Sequence, residues 1–461
     1  MSTLDRNFTK NQKFWVDVYN RFELDEPVID SQLRARREYS PRQDIVKALQ
    51  KPYGRTKRRF LMIGTVGTGK TTELFAIAED VASTHFVVLL DIWRHYDELV
   101  GNNAALQHIE PWEILLLVGL AVYKAAQVRF GHVWRQSDHG ALASAIKDFF
   151  PTSGKDGPGI DLASLANSLV AWASGVVGDA TTAGLGTGLK LLSKVTESTK
   201  WELPLLHRSG RKAIPEEDPR VDRLLKAVNG LLHVVERDYR KVALFLDGLD
   251  RITEQQTTRD IFTESRLLTR IDCNMVLTGP IALRQDGIAH MVYGVEPKVL
   301  ANVPVLRRED PTQHGAGVLF MRELFRRRIA DLPPPPGLTD TTATIPPDLL
   351  ARLAYYSGGR ARDFIRLIRN VADRAFEADL AVVSGTIVDE CIDERRRVIE
   401  LGITRADVDI LQLVGSDEKH LLPNDPRIAD LLNRWLLLPY PNESEWYFPH
   451  PLLTLKLVNL R

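Results

Sequence analysis

Residues 58–72 read RRFLMIGTVGTGKTT, and their order decides the fold. Phe60 to Ile63 is a short apolar run of the kind a buried parallel strand shows. Thr71 to Thr84, TTELFAIAEDVAST, sets Leu74, Ile77, Ala78 and Val81 at helical spacing. Between strand and helix stands Gly64-x4-Gly69-Lys70-Thr71, which is the context a phosphate-binding loop requires. Gly64, Gly67 and Gly69 let backbone N–H groups wrap an anion at dihedrals that side chains would obstruct. The positive end of the following helix adds to that site. Lys70 would reach the outer phosphates and the Thr71 hydroxyl would ligate Mg²⁺. Thr65, Val66, Thr68 and Thr72 complete the stretch expected to contact nucleotide.

Working outward, such a site needs a metal-directed acid at the end of another buried strand. KVALFLDGLDRI supplies one in Asp247, with Asp250 close behind. Asp247 would hold Mg²⁺ through water, and Asp250 would orient the attacking water or brace Asp247. Gly248 stands where many ATPases place a catalytic glutamate, so slow hydrolysis is expected. NMVLTGP, Asn274 to Pro280, reads as a third core strand, with Thr278 placed to sense the outer phosphate or position water. FVVLLDI, Phe86 to Ile92, is a further core strand. In YYSGGRARDFIRLIRNVADRA, Gly358-Gly359 precedes an amphipathic helix carrying Arg362 near its start, where a permanently charged, planar group can touch phosphate from a lid.

Taken in order, GTVGTGKTT, LFLDGLDRI, NMVLTGP and SGGRARDFIRL resemble the ATPases of the AAA+ superfamily, nearest to its origin-recognition-type and STAND or KAP-like branches. The resemblance implies an α/β P-loop NTPase sandwich of three layers with a parallel sheet, a helical lid and a small C-terminal winged-helix-like domain. It implies Lys70 and Thr71 as phosphate and magnesium ligands, Asp247 as the metal-directed acid, Thr278 as a sensor and Arg362 as the lid arginine. It further implies an arginine supplied in trans by a neighbouring subunit, for which Arg266 and Arg270 are the candidates, with Arg326 to Arg328 a second choice. No N/T-K-x-D element is present, so ATP is expected rather than GTP.

The expected organisation is an N-terminal extension over 1–57, an ATPase core over 58–330 with a helical insertion at about 130–215, a Pro-rich linker over 331–348, a lid over 349–400 and a terminal module over 401–461. Pro111 to Val128 and Arg220 to Tyr239 read as helices. In the terminal module, two or three helices precede two short strands around a Pro/Asn turn, the pattern of a winged helix.

Composition bounds the function. The 461 residues carry 60 Lys+Arg against 60 Asp+Glu, which argues against coating nucleic acid through bulk charge. The balance conceals a basic start, with 14 Lys+Arg against 8 Asp+Glu through Arg59, and a mildly acidic end, 6 against 8 from residue 401. Two isolated cysteines, Cys273 and Cys391, offer neither a disulfide framework nor a cysteine zinc site. The N-terminus lacks the pattern of a secretory signal, and a cytoplasmic location is expected. The one membrane-like stretch, Leu162 to Leu189, is broken by glycines and polar residues.

These readings converge on a magnesium-dependent regulatory ATPase that changes conformation or oligomeric state on binding ATP and thereby controls a protein partner, with prokaryotic defence or signalling as its setting. The alternative is a DNA-binding initiator, loader or transposition-type regulator.

Overall fold

The computed structural model describes residues 8–24, 28, 30–51, 56–100, 103–149, 216–284, 292, 294–441 and 445–459. In chain order the main elements are α1 (Lys10–Arg21), α2 (Arg42–Gln50), β1 (Arg59–Ile63), α3 (Lys70–Val81), β2 (His85–Asp91), α4 (Pro111–Phe130), α5 (Gln136–Lys147) and α6 (Pro219–Asp238). Then come β3 (Lys241–Asp247), β4 (Asn274–Gly279), β5 (Glu296–Val299), α7 (Gly317–Ile329), α8 (Pro347–Tyr356), α9 (Ala361–Glu377), α10 (Gly385–Ile399), α11 (Arg405–Ser416), α12 (Ile428–Asn433), β6 (Leu437–Tyr440) and β7 (Trp446–Pro449). They form two compact units, 41–63 with 73–299, and 1–40 with 64–72 and 300–461.

The first of these units is built on five parallel strands in the order β2-β3-β4-β1-β5. With helices packed on it, the sheet gives the three-layer α/β fold of a P-loop NTPase. Phe60 to Ile63, Val242 to Asp247 and all of β4 are buried, as strands covered on both faces must be. β5, Glu-Pro-Lys-Val, lies at the sheet edge, where Pro297 need not donate to a second neighbour. Helix α4 is buried at every position from Trp112 to Tyr123, so its first three turns run through the interior, with exposure only toward its C-terminal end at Val128. It packs on α6, whose buried Val221, Leu224, Leu225, Val228, Leu231, Leu232 and Val235 mark one helical face. Among the described residues no helix is long and apolar enough to cross a membrane. Leu162 to Leu189, and the part of the expected insertion from 150 to 215, lie outside the described residues.

In the second unit α1 packs against α9. Thr9 caps α1 in a reciprocal pair with Gln12, and the buried Trp15 indole donates to the Leu380 carbonyl at 2.6 Å. A two-point ion pair from Arg21 to Asp331, at 2.7 and 2.8 Å, ties α1 to the segment after α7. Helix α9 is strongly amphipathic, burying Phe364, Leu367, Ile368, Val371 and Ala375. The chain then runs through α10, α11, capped by Thr404 with Asp407, and α12 into an antiparallel pair in which Leu438 faces Phe448 and Tyr440 faces Trp446. Thr344 and Ile345, inside the Pro-rich stretch, are buried, and the Thr344 carbonyl accepts from the Val383 N–H at 2.9 Å.

Candidate functional site

The loop that follows β1 belongs, with residues 64–72, to the second unit. Gly67 and Gly69 take φ of +92° and +99°, the left-handed conformations its sequence anticipates. The Lys70 ammonium, only 4% exposed as a residue, folds back on its own loop and donates to the carbonyls of Gly64 at 2.7 Å and Thr65 at 2.8 Å. The Thr68 hydroxyl donates to the Thr65 carbonyl at 2.9 Å. Thr71 and Thr72 stand half-buried in the first turn of α3.

Three groups from distant sequence hold this loop from outside. Arg37 donates to the carbonyls of Thr68, at 2.7 Å, and Ala301. The Thr65 hydroxyl donates to Asn302 Oδ1 at 3.2 Å. From the start of α9, the Arg360 guanidinium donates to the Val66 carbonyl at 2.7 Å, while the Arg362 backbone N–H donates to the Gly67 carbonyl at 3.1 Å. The Arg362 main chain thus meets the loop directly, with its side-chain carbons lying against Gly67, and the Arg360 guanidinium, two residues earlier, reaches the Val66 carbonyl.

Arg360 is fully buried, and burial pulls its pKa down to about 10, leaving it cationic at neutral pH. It pairs with the buried Asp363, which also accepts from Arg395 at 2.7 Å. Against the cost of burial, Arg360, His450 and Arg395 hold the Asp363 carboxyl well below the usual range. None of Asn302, Arg360, Asp363 or Arg395 was expected from sequence. Only the phase of Asp363 on the buried face of α9 hinted at a charge needing a partner.

In the other unit Asp247 ends β3, buried, directly opposite Asp91 at the end of β2. Desolvation and the Asp247 carboxylate push the Asp91 carboxyl up, and Asp91 Oδ1 accepts from the Arg94 N–H at 2.9 Å. Gly248 has φ +86°, and a β-carbon there would lie 2.5 Å from the Trp93 nitrogen and 3.1 Å from Asp91 Oδ1. With that left-handed φ and so little room, a side chain such as glutamate is sterically barred after Asp247. Asp250 sits in the short turn Leu249–Arg251 that follows.

Thr278 is fully buried near the end of β4, beside Met62 of β1, and its hydroxyl has no hydrogen-bond partner among the described residues. Arg270 is engaged by Asp222 at 3.1 Å and Glu216 at 3.5 Å, and the Arg266 N–H donates to Glu216 at 2.8 Å. In the second unit Arg326 and Arg327 pair with Glu323 at 2.7 and 2.5 Å. Arg328 is buried, donates to the Arg21 carbonyl at 3.1 Å and lies over the Phe22 ring. Among the described residues no group of three or more His, Cys, Asp or Glu could by itself hold a metal ion. The donors expected for Mg²⁺, the Thr71 hydroxyl and the Asp247 carboxylate, are hard oxygens and suit that cation chemically.

No protein-family model matches the chain, and no curated protein matches it in sequence. Among solved structures it is similar to Drosophila ORC bound to DNA, at 10% identity and TM-score 0.38, over 98% of this chain and 91% of that one. It is similar to Aeropyrum pernix ORC1 in complex with DNA, at 12% identity and TM-score 0.36, over 96% of each chain. It is also similar to Aeropyrum pernix ORC2 in its ADP form, at 11% identity and TM-score 0.41, over 94% of each chain.

Proposed function

We propose that the chain is an AAA+-type ATPase acting as a nucleotide-controlled switch. ATP is held by the loop from Gly64 to Thr72, with Lys70 on the outer phosphates and Arg362 contributing from the lid. Thr71 and Asp247 would hold Mg²⁺, which would neutralise charge developing on the transferred phosphoryl group. Turnover is slow because Gly248 leaves no carboxylate after Asp247. The observation that carries this reading is the buried Lys70 ammonium held by two loop carbonyls at the start of α3. A desolvated cation beside the helix-terminal N–H groups supports an anion site there. ATP binding also drives self-assembly, with Arg266 or Arg270 supplied to a neighbouring copy. Calorimetric titration with ATP and GTP tests the site: the native protein should bind ATP in preference, and Lys70→Ala should weaken binding at least about tenfold. Unchanged affinity in that variant defeats the assignment. Particle mass with and without ATP tests assembly, which a monomer under both conditions refutes.

What the switch controls has two readings. An initiator acting on DNA, which two of the similar proteins are described as binding, is favoured by the C-terminal run of helix, helix and antiparallel pair, a winged-helix-like order. Control of a protein partner, in defence or signalling, is favoured by the charge of that module. Arg427 is held by Asp425 at 2.9 Å, and Arg434 by Asp430 at 3.1 Å and Asp407 at 3.5 Å. Duplex binding with ATP present, titrated with salt, separates them. Affinity falling steeply with salt supports the initiator, and absence of binding at low salt removes it.

A further inference from the structure

Arg360 does more than brace the loop. Its guanidinium donates to Val66, pairs with Asp363, and lies 4.1 Å from the centre of the Trp435 ring, at the entrance to the C-terminal antiparallel pair. One planar cation therefore touches the phosphate-binding loop on one side and the terminal module on the other. A peptide carbonyl and the N–H that follows it point in opposite directions, so holding the Val66 carbonyl outward turns the Gly67 N–H away from Arg360. In a loop that binds anions through inward N–H groups, that fixes one of the donors.

Trp435 carries two independent marks of a held position. Its φ is +63°, a left-handed conformation that a bulky residue avoids. Its indole N–H is buried and finds no hydrogen-bond acceptor among the described residues. The surrounding contacts join the same two parts of the unit. The Tyr440 hydroxyl donates to the Gly358 carbonyl at 2.9 Å, and the Asn302 N–H donates to the Pro439 carbonyl at 3.1 Å. His450 Nδ1 accepts from the Leu452 N–H at 3.2 Å, leaving the proton of the neutral ring on Nε2, 3.8 Å from Asp363.

We propose that Arg360 is a positioning residue of the phosphate-binding loop, and that through its stack on Trp435 the C-terminal module responds to whether the loop is filled. A phosphate bound at the Gly67 N–H draws the Val66–Gly67 peptide, already set facing inward, toward itself, the Arg360 guanidinium shifts with the Val66 carbonyl, and Trp435 feels a change in its cationic neighbour. Lysine cannot replace it, because a single ammonium cannot bridge Val66 and Asp363 while presenting a flat face to an indole. This inference rests on the nucleotide reading above.

The test is fluorine NMR of the full chain labelled with 5-fluorotryptophan, in which Trp435 is one of eight tryptophans and is assigned by Trp435→Phe. Calorimetry on the same samples reports ATP binding separately. In the native protein the Trp435 resonance should shift with ATP and saturate along the calorimetric curve. In Arg360→Lys the resonance should start displaced and stop responding, while ATP affinity falls about tenfold. A Trp435 resonance that stays still while ATP binds the native protein overturns the coupling and leaves the nucleotide site standing. Absence of calorimetric ATP binding overturns both. Since the native protein decides the first point, the outcome does not depend on whether the Arg360 variant folds.

Discussion

Gly359 and Val303 meet backbone to backbone: the Val303 N–H donates to the Gly359 carbonyl at 3.0 Å, and a β-carbon on Gly359 would fall 1.9 Å from the Val303 oxygen. The contact seats the start of α9, and with it Arg360 and Arg362, against the segment that follows residue 300. Gly359→Ala should therefore destabilise its unit by at least about 3 kcal/mol, combining a clash with a left-handed φ of +74°. Gly337→Ala is the control, since φ there is +87° with no atom of the described residues within 4 Å of the added carbon. It should cost only about 1–2 kcal/mol. Urea melts of both variants check this, and equal losses would refute the backbone contact.

Asp363 neutralises two buried arginines. Asp363→Asn keeps the shape and removes the charge, leaving Arg360 and Arg395 without their carboxylate. The expected loss is about 3–5 kcal/mol in urea unfolding. Since the folded pKa of Asp363 lies below its unfolded value, its contribution is present above the ordinary carboxylate pKa and is lost as pH falls below it. The gap between native and variant should accordingly narrow in acid. A constant gap from neutrality to strongly acidic pH would show that packing, not charge, sets the loss.

Trp15 docks α1 through both its ring and its indole N–H. Trp15→Phe retains most of the apolar area but orphans the Leu380 carbonyl, at about 1–2 kcal/mol. Trp15→Ala adds a cavity, for about 3–5 kcal/mol in all. Hydrogen exchange should localise the weakening to α1 and α9. Protection unchanged in both helices would mean that α1 contributes little to holding α9.

His95 is buried, and burial drops its pKa to about 4. The unfolded chain takes up the proton first, near pH 6.5, so this stability is complete above that value and declines as pH falls toward 4. The decline should amount to roughly 3 kcal/mol. Urea midpoints between pH 7.5 and 4.5 should fall less steeply in His95→Gln than in the native protein. Identical slopes would assign the acid sensitivity elsewhere.

If Asp247 directs the metal, Asp247→Asn should slow ATP hydrolysis by about a hundredfold or more, while binding of ATP without magnesium is nearly unchanged. Phosphate release and metal-free calorimetry measure the two quantities. Native turnover in the variant would remove Asp247 from the reaction.

The sequence by itself determined the parts whose physics is local. The glycine spacing and Lys70 specify a loop between strand and helix, because positive φ and an anion-facing turn are set within a few residues. Continuous apolar runs ending at Asp91, Asp247 and Gly279 specify buried strands, and the runs of α4 and α9 specify an interior helix and an amphipathic one. Less was legible where the chain gives no periodic signal: β5 is four residues long with a proline, and becomes a strand only by pairing with β1. Tertiary structure alone decided the partners. Asp91 faces Asp247 because β2 and β3 pair in register, and Gly248 excludes a side chain because Trp93 already occupies the space. Arg360 and Arg362 stand two residues apart with the same side chain. That the Arg360 guanidinium reaches the Val66 carbonyl depends on a distant pairing that leaves no trace in local spacing.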